Sequence, residues 1–134
     1  MKKSLVFILF VLLGSQMSAQ EIDKGYEAYN DGDYATALKE WKPIAEQGYA
    51  ISQYSLGLMY SNGYGVLKDK AEAVKWWRLS AEQGYAYAQG MLGIMYELGE
   101  GVLKDNITAH MWYNVASGNG HKSAGDWRDV VRVL

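Results

Sequence analysis

Apolar side chains recur every three or four residues along most of this chain, the spacing that gathers them on one face of a helix. A short first helix is predicted over Glu21 to Asp31, carrying Ile22, Tyr26, Ala28 and Tyr29. Asn30-Asp31-Gly32-Asp33 ends it in a tight turn, and Asp33 is placed to cap a helix from Tyr34 to Gln47. That helix turns Ala37, Leu38, Trp41, Ile44 and Ala45 to one side. Pro43 lies inside it and is expected to bend it near Lys39, because proline lacks the backbone donor. Gly48 then supplies a left-handed stop. The plan repeats with a longer connection: a helix from Ile51 to Asn62, a loop over Gly63 to Lys68, and a helix from Lys70 to Gln83. Asp69 is the expected N-cap of the latter, with Glu72 completing a capping box. Ala73, Trp76, Trp77, Ser80 and Ala81 form its inner side, and Gly84 ends it. Helices from Tyr87 to Leu98 and from Asn106 to about Gly118 follow, the second with Ala109, Trp112, Tyr113 and Ala116 inward. A last helix is expected over Ser123 to Leu134, closing the end through Trp127, Val130, Val131 and Leu134.

These helices come in pairs because the sequence repeats. Gln53 to Asp69 returns as Gln89 to Asp105 at an offset of 36 residues without a gap. Leu56/Leu92, Gly57/Gly93, Met59/Met95, Tyr60/Tyr96, Gly63/Gly99 and Gly65/Gly101 are kept, and Val66-Leu67-Lys68-Asp69 is identical to Val102-Leu103-Lys104-Asp105. A fixed period of this size marks stacked supersecondary units. The units are about 21–50, 51–86 and 87–122, with residues 123–134 as the terminal cap. In the first helix of each pair, helix A, the kept residues share one side, which is expected to be core. Gly57 and Gly93 are expected to leave room there for Trp77 and Tyr113. The positions that change between copies (Tyr54/Gly90, Ser55/Met91, Leu58/Ile94, Ser61/Glu97, Asn62/Leu98) share the opposite side. That side is expected to be free of packing demands. Candidate partner-binding residues are therefore Tyr54, Leu58, Met91, Ile94, Glu97 and Leu98, extended by Tyr26, Tyr29 and Tyr87. Tyrosine suits this role because it offers a rigid apolar body with a polar tip.

The N-terminus departs from the helical period. Lys2 and Lys3 precede an unbroken apolar run from Leu5 to Leu13, followed by small residues to Ala19. This is the layout of a signal peptide over residues 1–19, cut after Ala19, and it predicts a bacterial periplasmic or secreted protein. A membrane anchor fits less well, since spanning takes about 20 apolar residues. No membrane insertion is expected after cleavage. Of 13 basic side chains, removing Lys2 and Lys3 leaves 11 against 15 acidic ones. A net negative chain is a poor partner for nucleic acid or an anionic bilayer. With no cysteine, the core relies on packing, and thiol catalysis and thiolate metal sites are excluded.

Other candidate chemistry thins out on inspection. Gly63-Tyr64-Gly65 and Gly99-Glu100-Gly101 lack the strand-to-helix setting of a phosphate loop and read as turns. Asn30-Asp31-Gly32-Asp33 lacks the later oxygen ligands of a calcium loop. His110 and His121 stand eleven residues apart, with no further ligands to complete a zinc site. Glu46, Glu72, Glu82, Glu97 and Glu100 form no pair that marks a catalytic acid and base. Trp41, Trp76, Trp77 and Trp112 fall on the core stripe, so packing is their expected role. No metal, no cofactor and no catalytic residue is expected.

Leu-Gly-x-Met-Tyr, Gly-x-Gly-Val-x-x-Asp, Ala-x-x-Trp, Ala86-x-x-Gln89 and the closing glycines together resemble the Sel1-like repeat family, relatives of the tetratricopeptide repeats. Gly32-Asp33-Tyr34-x-x-Ala37-x-x-x-Trp41 resembles the shortened first unit of exported members. The resemblance covers nearly all of the chain after residue 19. It implies an all-α, right-handed solenoid of antiparallel helix pairs that binds a protein or peptide on the concave face of its A helices. It carries over no catalytic residues. A β-lactam-type hydrolase role is linked to cysteine-rich relatives, whose cysteine pairs are missing here. A structural subunit of an envelope complex is the remaining alternative.

Overall fold

The computed structural model describes residue 20 and residues 22–120. Six helices lie there and no strand is found among the described residues: α1 over residues 22–30, α2 Tyr34–Glu46, α3 Ala50–Asn62, α4 Lys70–Glu82, α5 Ala86–Leu98 and α6 Asn106–Gly118. Consecutive helices pack on one another, so α3 pairs with α4 and α5 with α6, while α2–α3 and α4–α5 join one pair to the next. The final helix expected over residues 123–134 and the signal peptide expected over residues 1–19 lie outside the described residues.

Local chemistry sets the helix ends. Asp33, Asp69 and Asp105 each accept the amide of a residue two or three positions on, satisfying donors the helix leaves open. The capping box expected at Asp69 is only half made. The Asp69 amide donates to Tyr60 O at 2.8 Å, so Glu72 has no donor to reach back for, and it pairs with Lys75 at 3.2 Å instead. At the other end of α2, Gly48 is left-handed and Tyr49 N donates to Ile44 O at 3.3 Å; Gly84 and Tyr85 close α4 in the same way. Helix α2 runs unbroken through Pro43.

One packing device occurs three times. A Cβ added to Gly25, Gly57 or Gly93 would come closer than 3.0 Å to Trp41, Trp77 or Tyr113 respectively. Each ring of a B helix lies in a notch that only glycine leaves open. Its polar edge then finds an acceptor on the A helix: Trp41 Nε1 donates to Ile22 O (3.2 Å), Trp77 Nε1 to Tyr54 O (3.1 Å), and Tyr113 OH to Glu97 Oε2 (2.6 Å). Buried without such partners these groups would be costly. The three rings are almost fully buried, and Leu56, Met59, Leu92 and Met95 fill the space around them.

Successive units are joined by a repeated hydrogen bond. Gln53 Nε2 donates to Ala45 O at 3.1 Å, and Gln89 Nε2 to Ala81 O at 3.0 Å, each reaching the last turn of the preceding B helix. Their Oε1 atoms accept from Gln83 (2.8 Å) and Asn119 (3.0 Å) at the end of their own B helix. The loops add to the join. A Cβ on Gly101 would collide with the Lys70 carbonyl, and one on Gly65 would crowd that of Tyr34. The Gly-x-Gly turns thus press on the first turn of the previous B helix, which accounts for both glycines without a phosphate.

Candidate interaction site

Stacking α5 beside α3 leaves a cleft between the two A helices, about 670 Å³ in volume. Leu58, Met91, Ile94, Met95 and Leu98 give it an apolar lining. Ser61, Asn62, Lys68, Lys70 and Glu100 surround one end, where Lys70 Nζ and Glu100 Oε2 form a 2.8 Å ion pair across the two units. Asn62 Nδ2 is held by Leu58 O at 2.9 Å. Neither histidine nor cysteine lines the cleft, and its one carboxylate is tied to a lysine. This lining offers apolar area for grip.

Tyr54 and Leu58 lie one turn apart on α3, as do Tyr87 and Met91 on α5. Tyr54 sits against Tyr85 and Tyr87, with ring centroids at 5.4 and 6.0 Å. Burial is the main cause pushing the Tyr54 phenol up to about 12, with Tyr85, Tyr26, Tyr87 and Tyr29 adding to it. Tyr29 and Tyr85 are raised by burial as well. The consequence for stability has a definite sign. Between pH 10 and 12 the unfolded chain releases the Tyr54 proton while the folded chain keeps it, so stability falls as pH rises. The contribution is intact below pH 10, and its full loss is worth roughly 3 kcal/mol. Tyr54→Phe is expected to flatten this alkaline decline in urea titrations run from pH 8 to 11. An equal slope in both proteins would contradict the burial of that hydroxyl.

The sequence-predicted contact residues divide into four groups. Leu58, Met91, Ile94 and Leu98 meet at the cleft. Tyr54 and Tyr87 cluster together, while Tyr26 and Tyr29 pack on Trp41 at 5.1 and 5.6 Å. Glu97 is engaged as the acceptor of the Tyr113 hydroxyl. The expectation that the changed side of the A helices is free of packing does not hold. Ile94 is 1% exposed and belongs to the core with Ala73, Val74, Trp77 and Tyr113, and Ser55, Ser61 and Gly90 are buried too. The reason is that α3 and α5 are neighbours in the stack. A side turned away from its own B helix still meets the next unit. Ser61 and Asn62, placed on the changed side but not chosen as candidates, also line the cleft, and the sequence reading missed Lys68, Lys70, Met95 and Glu100. Lys70 and Glu100 do differ between the copies, facing Asn106 and Tyr64 in register, and that difference was the available signal.

No group of three or more His, Cys, Asp or Glu side chains gathers among the described residues, and no described helix is long and apolar enough to cross a membrane. Two consecutive segments, residues 50–85 and 86–121, match the family model of the Sel1 repeat. Among solved structures, the chain is similar to a Sel1 repeat protein from Oxalobacter formigenes, with 35% identity and a TM-score of 0.69 over 72% of this chain and 40% of that one. It is also similar to c5321, a protective antigen present in uropathogenic Escherichia coli strains and displaying an SLR fold. Identity there is 36% and the TM-score 0.74, over 84% of this chain and 25% of that one. This chain therefore spans less than half the length of either. Cysteine rich protein B of Helicobacter pylori shares the fold, with 21% identity and a TM-score of 0.63 over 70% and 68% of the two chains. No curated protein matches.

Proposed function

Given that the chain belongs to the Sel1 repeat family, an all-α repeat scaffold of a kind that typically mediates protein–protein interaction, we propose that it is an exported module that holds a protein or peptide segment in the α3–α5 cleft. The observation that carries this reading is the cleft's composition: an apolar lining, tyrosines toward one end and paired charges at the other. Tyr87 and Leu98 are eleven residues apart on α5, which is about 16 Å of helix. About five residues of extended chain span that length. The matching occupant is a short segment with an aliphatic centre, which buries apolar area on Leu58, Met91 and Leu98. Export rests on the leader over residues 1–19, and N-terminal sequencing of the periplasmic or secreted protein is expected to begin at Gln20.

The test starts from peptides selected on the wild-type domain from a displayed library. Their affinities are then measured for Leu98→Lys and for Leu67→Lys, a surface control whose side chain is 90% exposed outside the cleft. Leu98→Lys is expected to weaken binding at least tenfold and Leu67→Lys less than twofold. Equal losses, or none in Leu98→Lys, would remove the cleft from consideration.

A further inference from the structure

Acidic side chains outnumber basic ones in the chain, 15 to 13, yet two lysines and one carboxylate line the α3–α5 cleft. Lys70 and Glu100 cancel one another, 2.8 Å apart. Lys68 remains, and it forms no ion pair or hydrogen bond with a described residue. Its stem lies over the C-cap of α3, where a Cβ on Gly63 would meet Lys68 Cβ at 3.2 Å. The dipole of α3 favours a cation at that end, and Lys104 stands in the same way over Gly99. The ammonium donors of Lys68 are left for the cleft. The same end holds a second group without a partner. Ser61 is 6% exposed and lines the cleft, and its hydroxyl makes no hydrogen bond to a described residue. Ser55, on the same helix, donates to Ile51 O at 3.0 Å, a local bond that Ser61 does not make. The counterpart of Ser61 in the next unit is Glu97, which accepts from Tyr113 at 2.6 Å. In this unit the ring is Trp77, which donates to Tyr54 O instead. Position 61 has thus lost its partner and kept a polar side chain. A hydroxyl so nearly buried needs a partner from the cleft. Asn62 uses one amide hydrogen on Leu58 O and has a second.

We propose, on the premise that the cleft holds a segment of a partner, that its polar end is a carboxylate subsite. Lys68 supplies the charge, and Ser61 and Asn62 supply neutral donors. The occupant is an Asp or Glu side chain that follows the aliphatic centre of the bound segment. An ionised acceptor is what these donors have in common, and hydrogen bonds to it are about twice as strong as neutral ones. One uncompensated lysine matches the single charge of a carboxylate better than the charge of nearly two on a phosphorylated side chain. An acidic side chain also fits better than a chain terminus, because Glu100 bounds the same end. Its rotatable bonds let the carboxylate turn toward Lys68 and away from Glu100. A terminus is held where the backbone puts it.

The test uses the chain from residue 20 and two displayed peptide libraries, one with the variable segment flanked on both sides and one with it at a free C-terminus. Segments selected from the flanked library are expected to carry Asp or Glu beside aliphatic residues. Replacing that acid by its amide is expected to weaken binding about tenfold. Lys68→Gln is expected to weaken the acidic segment by the same factor and the amide segment less than twofold. Lys104→Gln removes an equal charge from the equivalent place in the next unit, outside this cleft, and is expected to change nothing. Both lysines are exposed, so both variants are expected to melt with the wild type. Leu98→Lys separates the subsite from the cleft. If it abolishes binding while the acid and Lys68 make no difference, the cleft stands and the carboxylate subsite falls. If it binds as the wild type does, or if neither library yields a binder, the cleft falls and the subsite with it. Selected segments without Asp or Glu, equal losses in Lys68→Gln and Lys104→Gln, or binders from the free C-terminus library alone would each overturn the proposal.

Discussion

Gly57→Ala is expected to cost about 3 kcal/mol, although alanine in a helix interior ordinarily gains up to about 1 kcal/mol over glycine. The opposite sign arises because the new methyl would occupy the site of the Trp77 indole. Overpacking a filled core costs about 1–3 kcal/mol. Displacing the indole also breaks its hydrogen bond to Tyr54 O, which leaves a buried donor without a partner, worth a further 1–3 kcal/mol or so. For a domain near 100 residues that corresponds to a fall in Tm of roughly 12–24 °C. Gly118→Ala is the control, since a methyl there meets nothing within 4 Å, and it is expected to be neutral or slightly stabilising. Calorimetry on both variants decides the matter, and two equal shifts would mean that the notch has no energetic role.

Ile94→Ala is expected to destabilise the fold by about 3 kcal/mol, within the 2–5 kcal/mol range of buried isoleucine truncations. From its place on the changed side of α5, this residue reads as a contact position whose loss would spare stability. In the structure it is sealed between α3, α4 and α5, among Ala73, Val74 and Trp77. Leu98→Ala, at a side chain 45% exposed on the same cleft, is expected to cost under about 1 kcal/mol. Urea unfolding of the two variants separates a core residue from a rim residue. A binding assay on Ile94→Ala would measure unfolding and recognition together, so Leu98 is the better probe of the cleft.

The difference between these two leucine-like positions shows what a single sequence discloses. Helical period and the 36-residue repeat are local properties, so helix type, pairing and the Gly57–Trp77 and Gly93–Tyr113 notches are all legible before any coordinates. The equivalent Gly25–Trp41 notch escapes the same comparison, because the first unit has a connection four residues shorter and its A helix aligns at an offset of 32. Gln53 and Gln89 can be assigned to the core as kept residues, yet their partners are the backbone carbonyls of Ala45 and Ala81, which no side-chain pattern records. Burial on the changed side of an A helix depends on the step between units. That step brings Leu58, Met91 and Leu98 to one cleft, closes Ile94 beneath them and pairs Lys70 with Glu100 thirty residues away. None of this follows from the period of one helix.

The most direct test of the cleft as a recognition surface is photo-cross-linking in the cell that makes the protein, with a benzophenone side chain placed at Leu98, at Asn62 or at Lys39 on the outer face of α2. The account predicts that Leu98 and Asn62 trap the same protein, through a short stretch of its chain, and that Lys39 does not. Adducts from Lys39 alone, or different proteins trapped from the two cleft positions, would contradict it.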